Sequence, residues 1–135
     1  MNGKIYKELL TIVNMYLLPQ EIEVWYIIPA IRKELARLLT GAHGLSYEKA
    51  GVILGVSKAA VSQYLSNKRA NKVKLNSVTK KEIVKTAKVL VDNPKLAISE
   101  MQRILRFMKE NKCSCDVCKK YNKDVLNFCG CEPRY

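Results

Sequence analysis

Apolar residues recur at helical spacing along most of this chain. Ile5, Leu9, Ile12, Val13 and Tyr16 share one face of a helix expected over residues 4–18, with Pro19 ending it. A second apolar segment runs from about Ile22 to Leu39, and Pro29 inside it marks a kink or a fresh helix start. Beyond Pro29, Ile31, Leu35, Leu38 and Leu39 form one stripe, and His43-Gly44 closes the segment, with Gly44 as its C-cap. Ser46 opens a short helix through Leu54, Gly55 ends it, and Ser57 opens another through about Ser66. The stretch NKRANKVKLNSVT reads as a basic loop. Ser77 or Thr79 then caps a helix in which Ile83, Ala87, Leu90 and Val91 align, and Asn93-Pro94 stops it. Ser99 starts a last helix, with Gln102 as its capping-box partner and Met101, Ile104, Leu105 and Met108 on its buried face. No period-two strand pattern appears in the sequence. The expected class is all-α: a helix-turn-helix helical bundle with a C-terminal Cys-rich metal-binding tail.

The segment GLSYEKAGVILGVSKAAVSQYLSNKR, Gly44–Arg69, has the layout of two short helices joined by a tight glycine turn. Gly51 is small where the helices must approach, and Gly55 suits a positive φ in the turn. Ala50, Leu54, Val56, Val61 and Tyr64 fall where the pair would bury a shared core. Lys58, Ala59, Ser62, Gln63 and Ser66 are left as a polar or small outer face able to enter a major groove.

Charge sharpens this picture. The chain of 135 residues carries 24 Lys and Arg against 12 Asp and Glu, a net charge of +12. A solvated surface does not need that imbalance; a polyanion does, nucleic acid ahead of a membrane. Residues 46–74 hold six basic residues against one acid, Glu48. No signal peptide is read at the N-terminus, where Glu8 interrupts the apolar run, and no stretch is long and apolar enough to span a membrane. A cytoplasmic location is expected.

The stretch LGVSKAAVSQYLSNKR resembles the helix-turn-helix of the Cro/repressor-like (XRE-type) transcriptional regulators. With the preceding EIEVWYIIPAIRKELARLL, it is similar to a family of predicted archaeal transcriptional regulators. In these, a proline-containing helix (here Pro29–Arg32) precedes the motif and cysteines follow near the C-terminus. The likeness covers roughly Pro19–Arg69, most specifically Ala59–Ser66, and Gly51 departs from the alanine usual at its site. The resemblance implies sequence-specific binding of double-stranded DNA. On that footing Ser57 and the N-terminus of the second helix would hold a phosphate. Gln63 would make a bidentate contact to adenine, Ser62 would bond base edges, and Ala59 would touch a thymine methyl, with Ser66 on the same face. Lys58, Lys68, Arg69, Lys72 and Lys74 would take phosphates. Such proteins commonly bind two half-sites as homodimers, and a homodimer is expected here.

All 5 cysteines fall near the C-terminus, as Cys113, Cys115, Cys118, Cys129 and Cys131. In a reducing cytosol such a cluster points to metal or redox work before disulfides. Cys115 and Cys118 form a C-x-x-C pair, and Cys129 and Cys131 flank Gly130, making a four-thiolate set with Cys113 to spare. An iron–sulfur cluster, of the 4Fe-4S kind, is favoured, because C-x-C pairs occur twice and a spare thiol suits a redox-labile site. Zn2+ as a structural staple is the alternative, and disulfides or free thiols remain a third reading. Val117, Tyr121, Val125, Leu126 and Phe128 would shield the site.

An enzyme is not expected. His43 is the only histidine and sits beside a glycine at a helix end, and no paired carboxylates, phosphate loop or Cys/His nucleophile arrangement is present. Against a regulator stand an architectural DNA-coating protein with a structural zinc, a redox protein, and an RNA-holding adaptor. The last is disfavoured because few aromatics are placed for base stacking. The expected organisation is residues 1–74 for the N-terminal helices and DNA-binding region, 75–112 for C-terminal helices, and 113–135 for the metal-binding tail.

Overall fold

The computed structural model describes residues 17–121. The expected helix over 4–18 lies outside them except at its end, where Leu17 and Leu18 are not helical and Leu18 is extended (φ −64°, ψ 148°). Helices supply all the regular structure among the described residues, and no strand occurs there. In order they are α1 (Pro19–Ile22), a π-helical turn (Glu23–Ile27), α2 (Ile28–Thr40), α3 (Tyr47–Leu54) and α4 (Lys58–Leu65), followed by α5 (Ser77–Asp92). A 3-10 turn (Pro94–Leu96), α6 (Ala97–Glu110) and α7 (Cys115–Tyr121) complete the described chain. No helix among the described residues is long and apolar enough to cross a membrane.

Both prolines of the first segment stand in the first turn of a helix. Pro19 stands at the first helical position of α1, where its missing amide hydrogen costs nothing; the helix expected to end before it lies outside the described residues. The Leu18 amide is taken instead by the Glu21 side chain, three residues on, at 3.1 Å. Pro29 lies in the first turn of α2, the fresh start expected of it, directly after the π-helical turn. A proline cannot donate to the carbonyl four residues back, and its ring crowds that oxygen. The chain widens into the π-helical turn just upstream, where the Ile28 amide donates to the Glu23 carbonyl.

α2 is the centre of the bundle and touches α3, α4 and α5. Ala30, Ile31, Leu35, Ala36, Leu38 and Leu39 are buried on it. That stripe is broad because three helices cover it. Ile31, Leu35 and Leu39 are fully enclosed, and each contributes about 1.5–3 kcal/mol by leaving water. After α2 the chain folds back. The His43 amide bonds to the Leu38 carbonyl (3.1 Å), and the Leu45 amide to the Leu39 carbonyl (2.9 Å). Gly41 is the C-cap, and Gly44, at φ 65°, provides the left-handed residue of the return rather than the cap itself. Ile83, Ala87 and Leu90 of α5 and Ile104, Leu105 and Met108 of α6 join the same core.

Two helix starts differ from expectation. Asn76 caps α5, its side chain accepting from the Thr79 amide at 2.9 Å; Ser77 and Thr79 are already helical. Thr79 is buried instead, and its hydroxyl oxygen has no hydrogen-bond partner among the described residues. α6 starts at Ala97, because the turn begun by Pro94 feeds directly into it. Ser99 therefore lies within the first turn, donating to the Leu96 carbonyl at 3.0 Å, and makes no capping box with Gln102.

A polar network clamps α5 to α6. The Arg103 guanidinium donates to Glu100 and Glu82, each at 2.7 Å, and to the Thr86 hydroxyl at 2.9 Å. Thr86 is fully buried, and its hydroxyl donates to Glu100 at 3.1 Å. Hydrogen bonds from Arg103 and then Lys85 hold the Glu82 carboxyl below its ordinary range. Lys109 of α6 reaches Glu23 in the π-helical turn at 3.3 Å, tying the far end of the bundle to the first segment.

Candidate nucleic-acid interface

α3 and α4 are joined by three residues, Gly55 to Ser57. Each helix has the start its sequence promised. The Ser46 hydroxyl accepts from the Lys49 amide (3.2 Å), and the Ser57 hydroxyl from the Ala60 amide (3.0 Å). Gly55 ends α3 in the left-handed region, at φ 71°. The Val56 amide then returns to the Gly51 carbonyl at 2.9 Å. This return brings the turn so close to α3 that a Cβ on Gly51 would lie 2.7 Å from the Val56 carbonyl oxygen. Glycine at that site has a steric reason here.

Burial divides α4 as its spacing predicts. Ala60, Val61 and Tyr64 face the core, and Val56 is half-buried beside them. Ser57, Lys58, Ala59, Ser62, Gln63 and Ser66 are exposed. Ser57 still has its hydroxyl hydrogen to give, since as a cap its oxygen only accepts. Ser66 turns back, donating to the Gln63 carbonyl at 3.3 Å.

The loop after α4 is pinned, although it carries no regular structure. Asn67 and Ala70 adopt left-handed φ values of 61° and 58°. The Lys68 amide bonds the Gln63 carbonyl at 2.9 Å, and the Lys33 ammonium of α2 donates to the Asn67 side chain. The Lys120 ammonium of α7 reaches the Lys72 carbonyl at 3.4 Å. Lys68, Arg69, Lys72 and Lys74 are all exposed along this loop, and none forms an ion pair with a described residue. Lys58 does, with Glu48 at 3.9 Å, but both side chains are mostly in water, where such a pair contributes little. The structure thus brings all ten residues expected at the interface into one continuous stretch of α4 and its following loop.

Some residues around this surface were not singled out from sequence. Lys33 anchors the loop from α2. Trp25, the only tryptophan, projects half-exposed from the π-helical turn. Trp25 and Tyr26 border the same hollow as Tyr64 and Arg69, which are about forty positions later. Only the tertiary fold brings these together, so periodicity carries no signal for it.

Of the cysteines, Cys113, Cys115 and Cys118 are described; Cys129 and Cys131 lie outside the described residues. Lys112, at φ 56°, turns the chain from α6 into α7 and sends the Cys113 amide back to the Met108 carbonyl at 2.8 Å. Cys113 and Cys118 are buried against the core and Cys115 is half-buried. Cys115 and Cys118 stand one helical turn apart on α7, on the same side of it. Soft thiolates suit zinc or an iron–sulfur cluster. No group of three potential metal ligands is assembled among the described residues, so the four-thiolate set stays an expectation.

Comparison with protein-family models, with curated proteins and with solved structures gave no match to this chain.

Proposed function

We propose that this protein is a sequence-specific, double-stranded-DNA-binding transcriptional regulator that reads its operator with α4. The observation that carries the reading is the outer face of α4: Ala59, Ser62 and Gln63 are exposed on a helix whose other side is locked into the core. That face is bounded by the Ser57 cap and by the cations Lys68, Arg69, Lys72 and Lys74. A small, polar, rigid strip with cations on its flank suits base edges in a major groove between two phosphate backbones. Gln63 is assigned to adenine, Ser62 to a base edge and Ala59 to a thymine methyl. Ser57, Lys58 and the loop cations are assigned to phosphates. The net charge of +12 supports the same partner.

One short helix reads few base pairs, so the protein acts as a cytoplasmic homodimer on paired half-sites, and it is not an enzyme. Val52 and Ile98, both largely exposed, supply apolar surface outside the reading face. Light scattering at micromolar concentration gives the dimer mass under this reading; a monomer mass overturns it.

Cys115, Cys118, Cys129 and Cys131 are assigned as ligands of an iron–sulfur cluster, with Cys113 as the spare thiol. Bound there, the cluster would supply a redox-labile centre. Zinc in the same set would be a staple only.

The deciding experiment selects bound duplexes from a random DNA pool, then titrates the recovered sequence against unlabelled nonspecific DNA. A recovered consensus that survives competition, and loses its preference in Gln63→Ala, is expected. Binding without any consensus would reduce the protein to a DNA-coating role, and no binding at all would end the reading.

A further inference from the structure

A hollow of about 470 Å³ lies between the π-helical turn and the loop that follows α4. That volume is in the range of small-molecule sites. Its chemistry is divided. Trp25 and Tyr26 offer aromatic surface, while Arg32, Arg69 and Lys72 offer positive charge, and none of its described lining residues is acidic. The three cations form no ion pair with a described residue. Like charges drawn toward one hollow repel each other, and no carboxylate among the described residues offsets this.

Two features keep the site open and shaped. Trp25 is 54 % exposed, although burying such a ring would stabilise the fold. It sits on the π-helical turn, whose geometry is fixed by the proline downstream. Across the hollow, the Arg69 guanidinium lies over the Tyr64 ring, 5.8 Å from its centre, and this contact limits where the charge can swing. Ala70 holds a left-handed φ beside it.

We infer that this hollow binds a nucleotide, its base against Trp25 and its phosphate on Arg32, Arg69 and Lys72. An inorganic anion would leave the aromatic side unused, and a neutral aromatic would leave the three cations unused. Arg69 and Lys72 also belong to the proposed DNA surface, so a bound nucleotide withdraws two cations from the phosphate backbone and weakens DNA binding. This consequence rests on the DNA-binding reading; occupancy of the hollow does not.

The test uses the full chain without DNA. Trp25 is the sole tryptophan, so its fluorescence, excited at the red edge of its absorption, reports the site directly. Titration with adenosine monophosphate is expected to quench it saturably. Inorganic phosphate at the same concentration should leave the emission unchanged. Arg32→Gln and, separately, the exposed Lys72→Gln should each weaken nucleotide binding about tenfold or more, the loss of one charge-assisted contact. Each variant is checked for an unchanged helical melt. Absence of saturable quenching overturns the inference, as does equal quenching by inorganic phosphate. Quenching by a DNA duplex but not by the nucleotide also overturns it, since the hollow is then part of the DNA surface. Failure here leaves a Gln63-dependent operator preference untouched, and loss of that preference leaves nucleotide quenching untouched.

Discussion

The Cα of Gly51 points at the carbonyl oxygen of Val56: a Cβ there would come within 2.7 Å of it. The contact joins the middle of α3 to the turn that aims α4. Alanine is the better helix former, by about 1 kcal/mol. Overpacking against a backbone atom costs about 1–3 kcal/mol, because no side chain can swing away. Gly51→Ala is therefore expected to lower the thermal midpoint and to re-aim α4. Chemical denaturation of the variant beside the exposed control Val52→Ala measures the first effect, and operator affinity measures the second. A Gly51→Ala protein more stable than the parent would contradict the geometry.

Much of this motif was legible in the sequence because its signals are local. Ser46, Gly55 and Ser57 act within a turn of where they stand, and Ala60, Val61 and Tyr64 keep the helical period. Pro19 marks a boundary without saying on which side a helix lies, and the helix expected before it falls outside the described residues. The fresh start at Pro29 was legible, but the π-helical turn before it has no hydropathy signature. Asn76, Ser77 and Thr79 are all good caps, and burial of Thr79 in the core decided among them. The Arg103 network and the hollow at Trp25 join residues far apart in the chain, where periodicity is silent.

Thr79 offers a test of that burial. Its hydroxyl is enclosed without a partner among the described residues, which costs about 1–3 kcal/mol of lost hydration. Thr79→Val keeps the shape and removes the oxygen. The variant should unfold at a higher denaturant concentration than the parent, with an unchanged slope. Destabilisation by about 1 kcal/mol or more would show that the hydroxyl is satisfied in solution.

The α5–α6 clamp makes a prediction about pH. Glu82 is held below its ordinary range by Arg103 and then Lys85. Its contribution is therefore fully present above the unfolded carboxylate value, about 4.3, and is lost as pH falls through the lower folded value. Arg103, raised above an already high value by Glu100 and Glu82, stays charged throughout this window. The urea midpoint should fall between pH 6 and pH 3, taken as roughly the span that brackets a carboxylate. In Glu82→Gln that fall should be shallower. Equal falls in parent and variant would place the acid sensitivity elsewhere.

At the interface, base and phosphate contacts separate by salt. Each phosphate contact adds about one unit to the slope of log affinity against log salt. Lys68→Ala and Lys74→Ala are exposed changes that should weaken all duplexes alike and each reduce that slope by about one. Gln63→Ala should leave the slope alone and cost about 1–3 kcal/mol of discrimination at one adenine. Fluorescence anisotropy across a salt series distinguishes them. A Gln63→Ala protein with undiminished discrimination would remove α4 from the readout.

The proposed thiolate centre has a route to this surface. Cys113 and Cys118 are buried at the junction of α6 and α7, and Lys120 of α7 already touches the loop that carries Lys72. A change in thiol ligation thus has a short path, through α7, to the cations beside α4. Protein purified without oxygen should be brown, with a broad band near about 400 nm and matching iron and sulfide. Removing the metal while the fold persists should then change operator affinity, measured on the same preparation before and after. A colourless protein with one zinc per chain, or an affinity indifferent to the metal, would leave the thiols as a staple. The signal would then have to enter elsewhere, and the hollow beside Trp25 is the place where it would be sought.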